Sequence, residues 1–151
     1  MTATNGLAPE NLLLEITESA YTDDSQQIVD TVSLLRDRGF KIEMDDFGCG
    51  YSSLNMLTSL PIDALKLDMK FIRTITSNKK DYELVRIMTE IARLIEVPVI
   101  AEGVETKEQM ELLMAIDCDV IQGYYFSKPV PAEDFEKLIE EHIKEDNHAY
   151  C

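Results

Sequence analysis

Two adjacent acids, Asp45 and Asp46, stand between a short apolar run and a glycine-flanked turn in the segment KIEMDDFGCGYSSL, positions 41–54. Like charges at neighbouring positions repel each other unless a cation or a hydrogen-bond donor lies between them. Aspartate and glycine also disfavour strands, so local stability is given up where this run ends, which indicates chemistry. Taken alone, these residues fit a solvated turn equally well, because aspartate and glycine are common in turns.

Polar residues also follow the other short apolar runs of the chain. They are Glu15, Lys66, Asp68, Glu102 and Gln122. The apolar runs alternate with helical patterns at intervals of roughly 20–35 residues, which predicts βα units and a parallel sheet. Parallel strands share one carboxyl edge, so these side chains should converge there. Each acid alone could be a solvated strand end, but together they predict a site.

The pattern of apolar residues predicts five strands with helices between them. The strands lie at 12–16, 41–45, 64–68, 98–101 and 120–121. Apolar residues at helical spacing, with capping residues and Gly39 or Pro61 as stops, predict the helices. The helices lie at about 23–38, 52–59, 78–95 and 107–116, and from Pro131 onward.

A cluster of carboxylates in a partly buried site cannot stay ionised and unpaired. Ligands that are all oxygen suit Mg²⁺ or Mn²⁺, and Ca²⁺ can compete with them. Two such ions, about 3.5–4 Å apart, can activate a water and hold the entering and leaving oxygens of a phosphodiester. Adjacent Asp45 and Asp46 could supply the carboxylate that bridges the two ions.

Composition narrows the class of partner. The chain has 151 residues, with 29 acidic against 14 basic side chains and a net charge of −15. This charge argues against a nucleic-acid polymer or an anionic membrane surface as partner. No apolar run approaches the ~20 residues of a membrane span, and no signal-peptide pattern is present. The three cysteines lack metal-binding spacing. We therefore expect reduced thiols in a cytoplasmic protein.

Five ordered motifs resemble those of the EAL domain, the cyclic-di-GMP phosphodiesterase family. They are LEITES at 14–19, DDFGCGYSSL at 45–54, LPIDALKLD at 60–68, VIAEGVET at 99–106 and IQGYYFSKP at 121–129. The resemblance covers nearly everything from residue 11 to about 140. It implies a modified TIM-type (β/α) barrel that hydrolyses cyclic-di-GMP to linear pGpG in second-messenger signalling. Two Mg²⁺ or Mn²⁺ ions are implied as cofactors, with Ca²⁺ as an inhibitor.

The resemblance also implies roles for individual residues. The metal ligands or their close supports are Glu15, Asp45, Asp46 and Glu102. The catalytic residues are Lys66, Asp45 and Asp46, with Lys66 acting on the water as a base or positioning group. The substrate rim consists of Asp68, Glu105 and Gln122. The glycine loop over 47–53, which includes Gly48, Gly50 and Ser52, is held by Glu18 and couples metal binding to dimerisation.

A simple base role is physically unfavourable for Lys66. A lysine among carboxylates has a raised pKa, which keeps it protonated. It can act as a base only if metal ions offset those carboxylates. Orienting the water or stabilising phosphate charge is therefore the easier role.

The Glu-Ala-Leu motif that names the family, and a further Asn ligand, have no counterpart in this sequence. A complete domain has about 240 residues, in line with TIM barrels. We therefore expect an N-terminally truncated single EAL domain over 1–151, with a lead-in over about 1–10, βα units over 11–143 and a tail over 144–151. It should form about the last five βα units of the barrel, with open edges. By itself, it should hydrolyse cyclic-di-GMP poorly or not at all.

Three interpretations stay open: a phosphodiesterase, a non-catalytic module that binds cyclic-di-GMP, and a self-associating half-barrel with a structural role. We expect a homo-oligomer, formed through the glycine loop or the open sheet edges. The parent protein could also carry a GGDEF or sensory domain. Cys49 stands where the family commonly has Thr. A tolerated substitution explains it better than a redox-sensing thiol, because the nearby acids would raise the thiol pKa.

Overall fold

The computed structural model describes residues 6–23, 25–48 and 54–148, which contain a sheet of five parallel strands. The strands are β1 (Leu13–Thr17), β2 (Lys41–Phe47), β3 (Ala64–Leu67), β4 (Val99–Ala101) and β5 (Val120–Ile121). They lie in the order β1-β2-β3-β4-β5, and every neighbouring pair is parallel. This sequential parallel order is that of a (β/α) barrel. The predicted α/β class and partial barrel are therefore confirmed.

Seven α-helices are described, and they connect the strands or follow the last one. They are α1 (Glu18–Asp23), α2 (Ser25–Asp37), α3 (Leu54–Ser59), α4 (Met69–Thr74), α5 (Lys79–Leu94), α6 (Lys107–Ala115) and α7 (Ala132–His148). A short 3-10 helix, Pro9–Asn11, precedes β1. Within the described part of the chain, no helix has the length and apolar character needed to cross a membrane. The last helix, α7, continues to His148 and so includes the first residues of the tail expected over 144–151.

The sequence pattern does not predict the helices α1 and α4. Each has only six residues, too few to display helical periodicity. Asp68, predicted as the end of a strand, is instead the N-cap of α4, and its carboxylate accepts a hydrogen bond from the Lys70 amide at 2.8 Å. Such a cap satisfies one of the free amides of the first helical turn. The prediction of a strand over 64–68 therefore extends one residue too far.

The core is built on the central strands of the sheet. Ile42 and Met44 in β2 and Leu65 in β3 are fully buried, as are Val85 in α5 and Leu113 in α6. All four residues of β3 are buried, including its lysine. The core therefore encloses the strand that carries the central cation of the site.

The two edge strands, β1 and β5, each have one neighbour in the described sheet. Leu13 in β1 and Val120 in β5 are exposed. A closed barrel of this type has eight strands, and closure is what removes sheet edges. The described residues therefore supply five of the eight strands of such a barrel.

Asp63 connects the beginnings of β2 and β3, at the edge opposite the strand carboxyl ends. Its Oδ2 accepts a hydrogen bond from the Ile42 amide at 3.0 Å, and its Oδ1 lies 3.1 Å from Arg36 and 3.2 Å from Lys41. Burial alone would raise the pKa of this carboxyl. The Ile42 amide and the two cations outweigh it and hold the pKa below its usual range.

We expect Asp63→Ala to lower the free energy of unfolding by about 1–3 kcal/mol at neutral pH, because the Ile42 amide loses its acceptor. A carboxyl with a lowered folded-state pKa contributes stability above its unfolded pKa and loses it as pH falls through the folded pKa. Urea denaturation at about pH 7 and about pH 3 should therefore show a smaller difference from wild type at the lower pH. An equal difference in the free energy of unfolding at the two pH values would contradict this account of Asp63.

Candidate active site

Lys66 lies at the centre of a carboxylate cluster at the carboxyl ends of the strands. Its Nζ is 3.0 Å from Glu15 and 3.0 Å from Glu102. The same Nζ is 3.4 Å from Glu43 and 3.4 Å from Asp45. Strands β1, β2 and β3 and the end of β4 thus bring together residues that are far apart in the sequence. Below, "the Lys66 cluster" means these five residues.

The register of the strands explains how the Lys66 cluster forms. Glu15 in β1 is the register partner of Glu43 in β2. Asp45 comes two residues after Glu43, and alternate residues of a strand share one face of the sheet. The contacts of Lys66 with all three carboxylates show that its side chain lies on that same face. Parallel pairing therefore positions Glu15, Glu43, Asp45 and Lys66, whereas Glu102 follows directly after the end of β4.

The Lys66 cluster has a buried floor and an open mouth. The side chains of Lys66 and Glu43 are 8% and 3% exposed. Those of Glu15, Glu102 and Asp45 are 55%, 33% and 22% exposed. Three carboxylates are therefore accessible from solvent, whereas the lysine and the fourth carboxylate are not.

Burial and the charges of the Lys66 cluster together shift the pKa values of its buried members. Burial alone would lower the pKa of Lys66, but hydrogen bonds to Glu102 and Glu15 and the charge of Asp45 outweigh burial and raise it. Burial raises the pKa of Glu43, and the neighbouring ammonium opposes that rise. In this arrangement Lys66 is an ammonium at neutral pH. Such a group donates hydrogen bonds and cannot accept a proton.

Asp46 lies at an irregularity of β2, where the register with β3 shifts between Met44 and Phe47. Its φ of 57° is in the left-handed region, which residues other than glycine rarely adopt. The Asp46 amide donates to Asp45 Oδ1 at 2.8 Å. Burial and the charges of Asp45 and Asp68 raise the pKa of its carboxyl. Bulges of this kind often redirect side chains beside functional sites.

Glu18, at the start of α1, contacts the first part of the glycine loop. The Gly48 amide donates to Glu18 Oε2 at 3.2 Å, and Glu18 is buried. Gly48 has a φ of 101°, and a Cβ there would collide with the side chains of Met88 and Phe71. The remaining predicted loop residues, Cys49, Gly50 and Ser52, lie outside the described residues.

Glu105 and Gln122 line a cavity of about 520 Å³ that also reaches Glu102 of the Lys66 cluster. Arg73 and Lys128 provide positive charge in its wall. Tyr124 and Phe135 contribute aromatic surface to the same cavity. The cavity therefore combines two cations, two carboxylates and aromatic rings beside the Lys66 cluster.

Asp68 does not line this cavity. Besides capping α4, its carboxylate lies 3.2 Å from Lys70 Nζ, and it is buried. Its negative charge nevertheless acts on the site, since it contributes to the raised pKa of Asp46. The structure therefore gives Asp68 a contact with the helix and an electrostatic connection to the site.

Sequence reasoning missed Glu43, which the structure places in the Lys66 cluster. A signal was available, because Glu43 precedes Asp45 by two residues and so shares its face of the strand. Glu43 also stands between Ile42 and Met44, which are both fully buried. A charged residue inside a buried strand requires a partner of opposite charge.

The ligand types of the Lys66 cluster fit a hard divalent cation, since every acceptor is a carboxylate oxygen. Within residues 6–23, 25–48 and 54–148, however, no group of three or more acidic, His or Cys side chains is arranged to hold a metal ion. Instead, the carboxylates converge on the Lys66 ammonium, which neutralises part of their charge. Metal binding by Glu15, Asp45 and Glu102 would therefore require these side chains to rearrange.

The described residues form part of a (β/α) barrel with acids at the carboxyl ends of its strands. Barrel enzymes have their active sites at that end of the barrel. The family model of the EAL domain matches residues 1–129. The chain therefore belongs to the EAL domain family.

Among curated proteins, the chain is 40% identical over 134 residues to the cyclic di-GMP phosphodiesterase NbdA of Pseudomonas aeruginosa. This alignment covers 89% of the chain and 17% of NbdA. Among solved structures, it is similar to the PaMucR phosphodiesterase in complex with c-di-GMP, with a TM-score of 0.85 and 36% identity over 89% of this chain and 54% of that one. Klebsiella pneumoniae BlrP1, in a manganese and cy-diGMP complex, gives a TM-score of 0.79 and 33% identity over 84% of this chain and 32% of that one. The chain therefore spans less than a fifth of NbdA and about half of the PaMucR chain.

Proposed function

We propose that the chain forms part of the active face of a cyclic-di-GMP phosphodiesterase, which hydrolyses cyclic-di-GMP to linear pGpG. The observation that carries the proposal is the convergence of Glu15, Asp45 and Glu102 on Lys66 at the strand carboxyl ends. Phosphodiester hydrolysis needs cation binding and compensation of phosphate charge at one point. The names of the relatives NbdA and PaMucR support this reaction.

Two divalent cations, Mg²⁺ or Mn²⁺, are the cofactors that this proposal requires. Glu15, Asp45, Asp46 and Glu102 would hold them through carboxylate oxygens, the donors that these ions prefer. The manganese complex of BlrP1 supports divalent cation use in the family. When bound, such cations supply Lewis-acid polarisation of the phosphodiester. Inhibition by Ca²⁺ remains a prediction.

The protein's own residues would bind and orient the substrate. The Lys66 ammonium would orient the attacking water or stabilise negative charge on the phosphate, because it keeps its proton among the carboxylates. Arg73 and Lys128, which line the cavity, would donate hydrogen bonds to phosphate oxygens. Tyr124 and Phe135 offer aromatic surface to a purine base. Glu105 and Gln122 would complete the rim.

Cyclic-di-GMP binding by the 151-residue chain, measured by isothermal titration calorimetry, tests this proposal. We expect binding that depends on Mn²⁺ and that weakens at least about tenfold in Asp45→Asn, because the variant loses a ligand charge. Asp117→Asn is the matched control: Asp117 is exposed and has a φ of 56°, which asparagine also tolerates. Equal binding with and without Mn²⁺, or in Asp45→Asn and wild type, would argue against the proposed site.

A second candidate is a module that binds cyclic-di-GMP without hydrolysing it. The contacts of Glu15, Asp45 and Glu102 with the Lys66 ammonium favour it, because the proposed cation ligands are engaged by the protein itself. The described sheet has five strands, and a closed barrel of this type has eight. The strands that close the barrel could come from a longer parent protein or from a second copy of the chain. The exposed edges of β1 and β5 make such pairing possible, as the half-barrel hypothesis requires. A GGDEF or sensory domain in the parent, dimerisation through the glycine loop and a cytoplasmic location remain predictions.

A further inference from the structure

Glu43 differs from the other carboxylates of the Lys66 cluster in its exposure. Its side chain is 3% exposed, and its Oε1 lies 3.4 Å from Lys66 Nζ. Glu15, Asp45 and Glu102 are all more exposed. Glu43 therefore contacts the lysine from the closed side of the site, where solvent and ligands do not reach.

The backbone around Glu43 is fixed from both sides. Glu43 pairs with Glu15 in β1 and with Ala64 in β3, so its segment of β2 lies inside the sheet. Lys66 itself belongs to β3 and pairs with Ile100 in β4. Burial already restricts the side chains of Glu43 and Lys66, so they lose little further freedom when they pair.

The three exposed carboxylates have two possible partners. In the structure they contact Lys66. The proposed function also assigns them to divalent cations. When cations engage them, Lys66 loses three of its four carboxylate contacts. A buried ammonium without a partner is strongly unfavourable and would leave its position.

We propose that Glu43 is a positioning residue for Lys66, whose carboxylate holds the lysine ammonium at the floor of the site while divalent cations engage Glu15, Asp45 and Glu102. This inference rests on the proposed function, which requires cations at those three carboxylates. Glu43 does not need to touch the substrate or a cation for this role. It acts by keeping the Lys66 Nζ at a fixed place beneath the reacting phosphate.

Hydrogen exchange of the Lys66 Nζ protons, followed by NMR on the 151-residue chain with and without Mg²⁺, tests the role of Glu43. Glu43→Met removes the carboxylate, and Glu43→Gln keeps the shape and a neutral acceptor. Asp117→Asn is the control for the loss of one negative charge. The carboxyl carbon signals of Glu15, Asp45 and Glu102 report Mg²⁺ binding independently in the same samples.

In wild type and in the control, we expect Mg²⁺ to shift the carboxyl carbons and to accelerate Lys66 exchange, because only the Glu43 contact remains. In Glu43→Met, the acceleration by Mg²⁺ should be at least about tenfold greater than in wild type, the effect of losing the last charge-assisted hydrogen bond. The effect of Mg²⁺ on Lys66 exchange in Glu43→Gln should lie between those in wild type and Glu43→Met. If Glu43→Met does not fold, Glu43→Gln is the variant that tests the inference.

Two results would overturn the inference, and they are distinguishable. Carboxyl carbons that shift with Mg²⁺, combined with the same Lys66 exchange in wild type and both variants, would reject the role of Glu43 alone. Carboxyl carbons that do not respond to Mg²⁺ in wild type would reject the proposed cation site and the role of Glu43 with it.

Discussion

Lys66→Met is expected to lower the free energy of unfolding by about 3–5 kcal/mol, the usual effect of removing one partner from a buried ion pair. The variant leaves Glu43 buried without a cation and leaves four carboxylates close together. Urea denaturation at about pH 7, without divalent cations, measures this loss. Lys137→Met is the matched control, because that lysine is exposed and should change stability by less than about 0.5 kcal/mol.

The pH dependence of Lys66→Met follows from Glu43. Without the ammonium, the folded-state pKa of Glu43 rises further, so the folded protein takes up a proton before the unfolded chain does. The stability loss should therefore shrink as pH falls from about 7 to about 5. Adding Glu43→Gln to Lys66→Met should recover more than about 1 kcal/mol, since the two residues are in contact. A loss below about 1 kcal/mol, with no recovery, would show that the ammonium does not hold the cluster together.

Adding the strands that complete the barrel is expected to raise the rate of cyclic-di-GMP hydrolysis at least about 100-fold above that of the 151-residue chain. The added strands supply further metal ligands and enclose the site. The test uses a fusion, called the joined protein. In it, the part of the PaMucR phosphodiesterase that precedes the region similar to this chain stands upstream of the 151 residues. Mn²⁺-dependent formation of pGpG by both proteins at equal concentration measures the difference.

Sedimentation of the 151-residue chain serves as the control for this comparison. Turnover by a monomer of the chain, at the rate of the joined protein, would contradict the expectation that five strands do not suffice. Turnover that appears only in a dimer would mean that a second copy closes the barrel.

Much of the fold could be predicted from the sequence because each strand is a short apolar run with a clear end. The parallel order then followed from the alternation with helices, and it predicted that residues such as Glu15 and Glu102 would approach Lys66. The helices α1 and α4 were not predictable from periodicity, because each has six residues. The capping role of Asp68 was not predictable either, because it depends on the presence of α4.

The inner geometry of the site depends on tertiary contacts that the sequence pattern indicates only in part. Strand alternation places Glu43 on the same face as Asp45, but its contact with Lys66 follows from the pairing of the strands. The left-handed φ of Asp46 arises where β2 shifts register against β3, and the sequence pattern does not mark that position. The adjacent acids Asp45 and Asp46 predicted a site, but the sequence did not indicate that Asp46 has a left-handed φ and Asp45 does not.

Mn²⁺-dependent hydrolysis of cyclic-di-GMP by the joined protein and its Asp45→Asn variant tests the central claim most directly. The account predicts conversion to pGpG by the parent and a loss of at least about 100-fold in the variant, with Asp117→Asn unchanged. Equal rates in the parent and in Asp45→Asn would contradict it. So would a joined protein that folds and binds cyclic-di-GMP with Mn²⁺ but forms no pGpG.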